Sequence, residues 1–305
     1  MKTYTIGTEG IQASRIGLGC MRLTGLKEKK DVKKLIETAV ELGINFFDHA
    51  DIYDGGQAES VFGECLPSGF REQILIQTKC AIRPGCCYDF SYDYIMKSVE
   101  GSLRRLKTDY VDLLLLHRPD TLMEEEDVAR AFEDLEKSGK VRCFGVSNQN
   151  AMQLELMNQF CKGKVAVNQL QFSIAHCDII DSGINVNIHN DAGANRDGSV
   201  LEYCRLKGIR LQAWSPFQYG MFEGCFIGNE QFPELNAVLN RLAEKYDATP
   251  NAIAIAWILR HPAGIQPIVG TTSAERLRGI CKADQIRLTR EEWYELYLTA
   301  GKQLP

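Results

Sequence analysis

Short apolar runs alternate with longer amphipathic stretches along almost the whole of this 305-residue chain. One run, residues 113–116, is leucine throughout, as expected of a parallel strand that is covered on both faces. Eight of the runs are predicted strands, at residues 16–19, 45–48, 74–79, 110–117, 141–147, 165–169, 209–214 and 266–269.

The amphipathic stretches between these runs have the period of helices. They cover residues 31–42, 92–106, 125–138, 151–160, 199–206, 235–246, 251–260 and 273–282. Gly43, Gly139 and Gly208 end three of them in the manner of a helix C-cap. Eight strand-then-helix units in roughly 250 residues favour an α/β fold of the closed (β/α)8 kind, the TIM barrel, over an open doubly wound sheet.

The other parts of the chain fit the same architecture. Residues 4–11 are predicted to form an N-terminal β-hairpin that caps the bottom of the barrel. We find no linker or change of composition, so we expect a single domain over residues 1–305. The longest irregular stretch, residues 176–198, follows the sixth strand on the active face, and we expect a lid or a substrate-binding wall there.

Charge and cysteine usage exclude several classes of partner. The formal net charge is -5, and the one lysine-rich segment, residues 27–34, is interrupted by acids, so we expect no nucleic-acid partner. Residues 1–10 lack the apolar core of a signal peptide, and no run reaches the ~18 apolar residues of a membrane span. The 11 cysteines are irregularly spaced. Reduced thiols in the cytoplasm are therefore expected. We also expect a monomer or a small homo-oligomer.

Four polar residues of different types fall at the carboxyl ends of the second, third and fourth predicted strands or in the loops that follow. They are Asp48, Tyr53, Lys79 and His117. Because active sites of (β/α)8 barrels lie at this end of the strands, we expect the four side chains to share one mouth.

These residue types together suit the addition of a proton and a hydride to a carbonyl group. A phenol has a pKa of about 10, which the Lys79 ammonium beside Tyr53 would lower by stabilising the phenolate. Asp48 would keep a buried Lys79 charged. A neutral His117 would donate a hydrogen bond to the substrate oxygen, and Tyr53 would protonate it. This chemistry needs no metal.

The sequence around these residues resembles the aldo-keto reductase signature. Residues 43–53 contain the pattern D-x-A-x-x-Y, formed by Asp48, Ala50 and Tyr53, after a glycine-led strand. Lys79 and His117 match the family's other two catalytic positions. The match extends over nearly the whole chain. It implies a bacterial NADP-dependent oxidoreductase that reduces an aldehyde or ketone to an alcohol.

The resemblance continues along strands five to seven. Ser147, Asn148 and Gln169 match the positions at which the family holds the carboxamide of a nicotinamide. Trp214 matches the aromatic residue that stacks on the nicotinamide ring, and the backbone after it approaches the pyrophosphate. The implied cofactor contacts also include Gly19, Cys20 and Met21 of the first active-face loop, Asp48, Ser215, Pro216 and Phe217.

The segment after the eighth predicted strand matches the region that binds the adenosine end of the cofactor. Arg276 falls on the family's arginine, and its guanidinium suits both stacking on adenine and pairing with a 2′-phosphate. The resemblance thus implies NADP(H) rather than NAD(H). The chain departs from many members at residues 270 and 279–280, and nearby hydroxyls would compensate. The implied contacts here are Gly270, Thr271, Thr272, Ser273 and Arg276.

Two other functions stay open. A metal-dependent hydrolase on the same barrel could use His49, Asp51 and His117 as ligands. However, His49 follows Asp48 directly, and neighbours on a strand point to opposite faces, so we expect no metal site. A non-catalytic, regulatory barrel that binds a nicotinamide nucleotide is the other alternative, and the full set of four catalytic residue types argues against it.

The substrate is expected to be a small carbonyl compound held by the loops around the mouth. Arginines among the predicted pocket residues suggest an anionic group on this substrate. The predicted pocket residues are Arg22, Arg83, Tyr88, Phe90, Arg118, Phe217, Tyr219 and Phe222.

Overall fold

The computed structural model describes residues 1–8 and 10–305. Within these residues, eight parallel strands hydrogen-bond in a closed ring, and each is followed along the chain by a helix. In chain order the strands are β1 (Thr3–Ile6), β2 (Ile11–Ser14), β3 (Gly17–Gly19), β4 (Phe46–Asp48), β5 (Leu75–Cys80), β6 (Ile82–Arg83), β7 (Cys87–Tyr88), β8 (Val111–Leu116), β9 (Val141–Ser147), β10 (Val165–Gln171), β11 (Arg210–Trp214) and β12 (Gln266–Val269).

The helices lie between the barrel strands and after the last one. They are α1 (Lys29–Glu41), α2 (Gln57–Cys65), α3 (Tyr92–Leu106), α4 (Glu125–Lys137), α5 (Ala151–Phe160), α6 (Asp178–Ile184), α7 (Val200–Lys207), α8 (Pro233–Lys245), α9 (Pro250–Arg260), α10 (Ala274–Cys281) and α11 (Arg290–Thr299). Short 3-10 turns occur at Leu23–Gly25, Tyr53–Gly56, Arg71–Gln73, Asp191–Gly193 and Lys282–Gln285.

The ring of strands runs β3, β4, β5, β8, β9, β10, β11 and β12, and β12 pairs with β3 to close it. Each helix covers the barrel with one apolar face. In α3, for example, Ile95, Val99, Leu103 and Leu106 are buried, at the spacing of three or four residues that places them on one side of a helix. The predicted (β/α)8 barrel is confirmed.

A second, smaller apolar cluster fills the lower part of the barrel interior. Ile6, Ile11 and Ala13 of the antiparallel hairpin β1–β2 pack there with Phe46 and Leu113, which point inward from the barrel. The hairpin therefore caps the bottom of the barrel, as predicted. The four polar residues Asp48, Tyr53, Lys79 and His117 lie at the opposite end, where the barrel strands terminate.

The structure corrects the sequence prediction at the hairpin and in the stretch 176–198. The hairpin continues to Ser14, because its turn lies near Gly7 and Gly10, which adopt positive φ angles of 66° and 68°. The stretch 176–198 is not irregular throughout, since it contains α6. The sequence pattern does not indicate this helix, because a charged residue, Asp181, is buried in it. Asp181 accepts hydrogen bonds from two groups far along the chain, the Tyr297 hydroxyl at 2.9 Å and Lys302 at 2.6 Å.

Several elements had no counterpart in the prediction: α2, α11 and the small hairpin β6–β7. The eight barrel strands, by contrast, all lie where they were predicted, within a residue or two. No helix among residues 1–8 and 10–305 is both long and apolar enough to cross a bilayer.

Candidate active site

Three polar side chains meet at the carboxyl ends of β4 and β5. Lys79 Nζ donates to Asp48 Oδ2 at 2.7 Å, to the Tyr53 hydroxyl at 3.0 Å and to the carbonyl oxygen of His49 at 2.9 Å. Asp48 and Lys79 are buried, whereas Tyr53 is partly exposed at the mouth of the barrel. Lys79 therefore links the buried carboxylate to the phenol, in the arrangement expected from the sequence.

A tight turn after β4 brings Tyr53 into this position. The amide of Asp51 donates to the carbonyl of Lys79 at 2.9 Å, which ties the turn to β5. Directly after Tyr53 the backbone has positive φ at three successive residues, 54 to 56, and reaches 91° at Gly56. A Cβ at Gly56 would lie 2.9 Å from the Arg105 side chain, so only glycine fits.

Burial and the neighbouring ammonium have opposite effects on Tyr53. Burial raises the pKa of the Tyr53 phenol, Lys79 lowers it, and the net pKa lies above the ordinary value. Lys79 thus lowers the pKa of the phenol, as predicted, but burial outweighs this effect, and the sequence did not show how deeply the hydroxyl lies. Burial also lowers the pKa of Lys79, but Asp48 and Tyr53 together outweigh burial, and the net pKa is raised. At neutral pH Tyr53 thus holds its proton and Lys79 its charge.

His117 follows β8 and faces Tyr53 across the mouth. The two rings are nearly perpendicular, with centroids 5.9 Å apart. Burial, followed by the charges of Lys79 and Arg118, lowers the pKa of His117 well below its ordinary value, so the imidazole is neutral. Its Nδ1 is buried and has no hydrogen-bond partner among the described residues. A neutral His117 can therefore give its one N–H to a bound carbonyl oxygen.

A chain of buried glutamines crosses the barrel beneath these residues. The side-chain amides of Gln77 and Gln169 both donate to Asp48 Oδ1, at 2.6 and 3.1 Å, and both also donate to Gln212 at 2.9 Å. Gln212 in turn donates to Gln266 at 2.9 Å. Both oxygens of the Asp48 carboxylate are thereby hydrogen-bonded, which holds the group in one orientation.

Sequence reasoning assigned no role to Gln77, Gln212 or Gln266. A signal was present, because Gln77 lies two residues before Lys79 and Gln212 two before Trp214. Alternate residues of a strand point to the same face, so both share the interior with a predicted site residue.

The residues expected at the nicotinamide lie together across the mouth, on β9, β10 and β11. Asn148, at a positive φ of 60°, donates from its amide to the Ser147 hydroxyl at 2.7 Å and accepts from the Trp214 indole at 3.1 Å. The Ser147 hydroxyl donates to the carbonyl of Gln169 at 2.8 Å. These bonds fix the Trp214 ring at the mouth. Ser215 follows at a positive φ of 50° and turns the chain toward Phe217.

The residues expected at the adenosine end surround the start of α10. Ser273 caps this helix, because its hydroxyl accepts from the amide of Arg276 at 3.2 Å. Arg276 is exposed and forms no ion pair with any described residue. Cys225 lies in the segment between β11 and α8. Burial raises the pKa of its thiol, while the charges of Arg276 and Arg22 lower it, so both guanidinium groups lie near this thiol. Neither arginine forms an ion pair with another residue in the part of the chain that the structure describes.

Some predicted residues lie apart from these groups. The Cys20 side chain is buried, and only its backbone could meet a ligand, whereas Met21 is exposed. Thr271 is buried and accepts from the amide of Ser273 at 3.2 Å. Gly270 is exposed with open space where a Cβ would lie. The others of the set, Gly19, Pro216 and Thr272, are at least partly buried beside them.

The residues imagined as metal ligands are not gathered at one point. The His49 ring is buried on the outer side of β4, with its centroid 4.5 Å from that of Phe62. Among the described residues no group of three or more His, Cys, Asp or Glu side chains is placed to hold a metal ion.

A buried acidic cluster behind Tyr53 was missed by sequence reasoning. Glu59 of α2 accepts from the Thr78 hydroxyl at 2.5 Å and from Arg105 at 2.8 Å. Asp51 lies beside it, and its Oδ1 is buried without a partner among the described residues. Burial, followed by the Glu59 charge, raises the pKa of Asp51 to about 7. The Arg105 guanidinium bonds to Glu59, and its charge only partly offsets the rise in the pKa of Asp51.

Replacing Asp51→Asn is expected to remove a pH dependence of stability. The folded protein binds a proton at Asp51 up to about pH 7, whereas the unfolded chain releases it near the ordinary pKa of 3.8. The free energy of unfolding of the native protein therefore falls as the pH rises between these values, by about 1–2 kcal/mol after allowance for partial exposure. Urea unfolding of both proteins at about pH 5 and about pH 8 measures the difference. Identical pH dependence in the two would contradict it.

Comparisons with known proteins identify the family of this chain. The model of the aldo/keto reductase family matches residues 15–297. The 6-dehydroglucose reductase of Novosphingobium aromaticivorans is 35% identical over 98% of this chain and 96% of its own length. The enzyme of the same name from Agrobacterium fabrum is 34% identical, over 97% and 98%. The solved structure of a thermostable aldo-keto reductase, Tm1743, with the inhibitor epalrestat has a TM-score of 0.79 at 27% identity, over 98% of this chain and 100% of that one. This chain belongs to the aldo/keto reductase family.

Proposed function

We propose that this protein reduces an aldehyde or ketone to the alcohol with NADPH, and that Tyr53 supplies the proton. Family membership makes it an oxidoreductase that acts on a small carbonyl compound with a nicotinamide cofactor.

The observation that carries the proposal is the Asp48–Lys79–Tyr53 chain beside a neutral His117. The His117 N–H would bind the carbonyl oxygen and polarise the C=O bond. Tyr53 would give its proton to that oxygen, and the phenolate left behind would be stabilised by Lys79, 3.0 Å away. Asp48 is a positioning residue that keeps Lys79 charged in a buried place.

A reduced nicotinamide bound in the mouth supplies the hydride for this reaction. The residues present fit such a group. Ser147, Asn148 and Gln169 offer hydroxyl and amide groups on one wall, and the fixed indole of Trp214 offers a flat face. These residues would hold the carboxamide and the ring.

The preference for NADPH rests on the unpaired cations beside the start of α10. A 2′-phosphate is the group that distinguishes NADPH from NADH, and it needs a cation within reach. Arg276 has no carboxylate partner among the described residues, whereas Arg278 on the same helix pairs with Glu41 at 3.0 Å. Arg276 is therefore the residue we assign to the phosphate.

The proposal extends to domain structure and location. We infer that residues 1–305 act as one domain in the cytoplasm. The cysteines other than Cys143 are free thiols, and most of them are buried, which suits a reducing compartment.

Arg276→Met is expected to weaken NADPH binding about tenfold and to change NADH binding less than about twofold, because one charge-assisted contact to the phosphate is lost. Fluorescence titration of each variant with both nucleotides measures the dissociation constants. Arg278→Met is the matched control on the same helix, and we expect it to bind both nucleotides as the native protein does. Equal weakening toward NADPH and NADH in Arg276→Met would contradict the assignment.

The same titration tests the cofactor class as a whole. We expect the native protein to bind NADPH more tightly than NADH. Tight binding of NADPH without turnover of any aldehyde, ketone or keto acid would instead favour the regulatory barrel.

A further inference from the structure

We propose that Arg118 binds a carboxylate on the substrate, so that the preferred substrates are carbonyl compounds that carry an acid group. This inference rests on the proposed function, because it concerns the substrate of the same site. The sequence predicts three arginines around the mouth, Arg22, Arg83 and Arg118.

The structure separates these arginines. Arg83, on the hairpin β6–β7, pairs with Asp89 at 3.2 Å and lies over the Tyr94 ring, so its charge is already compensated. Arg22 lies on the side of Arg276, since the charges of both arginines lower the pKa of the Cys225 thiol. Arg118 alone follows His117 directly, on the side of the mouth where the carbonyl group would bind.

Arg118 is half-buried and has no polar partner. It forms no hydrogen bond or ion pair with any residue that the structure describes, and its contact is with the Trp214 ring, 5.7 Å from the guanidinium carbon to the centroid. The nearest acid along the chain, Asp120, is occupied, because its two oxygens accept from the amides of Phe90 and Leu122 at 2.9 Å. A guanidinium that is partly removed from water and unpaired is a site prepared for an anion.

A purely structural role for Arg118 is not needed. The Trp214 indole is already held by Asn148 at 3.1 Å, so the arginine is not required to fix that ring. Arg118 also contributes to the lowered pKa of His117, after burial and Lys79, which places its charge close to the reacting end of the site. An anion bound to Arg118 would therefore lie only a few atoms from a carbonyl bound to His117.

The chemistry favours a carboxylate. One guanidinium presents a planar pair of N–H donors that matches the two oxygens of a carboxylate. A phosphate dianion would leave charge uncompensated, since Arg83 is paired and Lys79 is committed to Asp48 and Tyr53. A planar monoanion is the ligand that this single free cation fits.

The test compares two pairs of aldehydes that differ in one acid group: 4-carboxybenzaldehyde with 4-methylbenzaldehyde, and 4-oxobutanoate with butanal. For Arg118→Met we expect kcat/KM to fall about tenfold or more on the two acids, mainly through KM, and no more than about threefold on the neutral partners. Arg118→Lys is expected to recover part of the loss, because it restores the charge without the planar fork. Each comparison is made between variants on one substrate, so differences in carbonyl reactivity cancel.

Arg83→Met serves as the control, since it removes a paired arginine from the same rim, and we expect it to keep the native preference. Equal losses on acids and neutral partners in Arg118→Met would overturn the inference and leave the reductase function standing. A stronger Arg118 dependence for glyceraldehyde 3-phosphate than for the carboxylates would overturn the choice of anion. If the native protein reduced neutral carbonyl compounds but neither of the two acids, this inference would be overturned while the proposed function would stand.

Discussion

Tyr53→Phe is expected to lower kcat for carbonyl reduction by about 10²-fold or more, while NADPH binding stays within about twofold. The substitution removes one oxygen and keeps the ring that faces His117 with centroids 5.9 Å apart. Lys79 retains its bonds to Asp48 and to the carbonyl of His49, so the ion pair survives. The variant therefore lacks the proposed proton donor and little else. Steady-state kinetics with one aldehyde, together with a nucleotide titration, measure both quantities.

Tyr246→Phe is a suitable control for this experiment, because it removes a hydroxyl that binds Glu292 at 2.7 Å on the outside of the barrel. We expect its kcat to equal that of the native protein. If Tyr53→Phe retained full activity, the assignment of the proton donor would be wrong, whatever the effect on KM.

Lys79→Met is expected to cost both activity and stability. It leaves the Asp48 carboxylate, which is 3% exposed, without its counter-ion in the interior of the barrel. Breaking a buried pair from one side typically costs about 3–5 kcal/mol in the free energy of unfolding. The phenolate that follows proton transfer would also lose its stabilising charge, so kcat is expected to fall by at least about 10²-fold. Urea unfolding and steady-state kinetics measure the two effects.

A second variant separates stability from catalysis. Adding Asp48→Asn to Lys79→Met removes the unpaired charge, and we expect most of the lost stability to return while activity does not. In the native protein Gln77 and Gln169 donate to Asp48. In the double variant the same amides can donate to the asparagine oxygen. An unfolding midpoint of Lys79→Met equal to that of the native protein would contradict the account of the buried pair.

The barrel and its mouth could be predicted from sequence because both depend on local patterns. Continuous apolar runs such as β8 marked the strands, and polar residues at their carboxyl ends, such as Asp48 and His117, marked the mouth. Tyr53 lies in a loop without any periodic pattern, so its assignment depended on the neighbouring Asp48, Lys79 and His117 and on the family signature.

Contacts between distant segments could not be predicted in the same way. The burial of Asp181 depends on Tyr297 and Lys302, which lie more than a hundred residues further along the chain. The pairing of Glu59 with Arg105 likewise joins two helices whose apolar patterns give no information on polar partners. The net pKa of Tyr53 followed from the depth of its hydroxyl, which only the folded structure defines.

The sequence also could not distinguish the arginines around the mouth. Arg83 and Arg118 lie in similar positions, each shortly after a barrel strand. Their roles diverge because Asp89 lies within 3.2 Å of one, whereas no carboxylate among the described residues pairs with the other. The difference between the two arginines is thus decided by contacts that only the fold creates.

The most direct test of the central claim is the stoichiometry of turnover in the native protein with NADPH and a panel of aldehydes, ketones and keto acids. NADPH oxidation is followed by absorbance, and the alcohol product is quantified by chromatography. We expect one alcohol formed for each NADPH oxidised with at least one carbonyl compound, and no oxidation without a carbonyl. NADPH that binds tightly but is not oxidised with any member of the panel would contradict the assignment of this site as a carbonyl reductase.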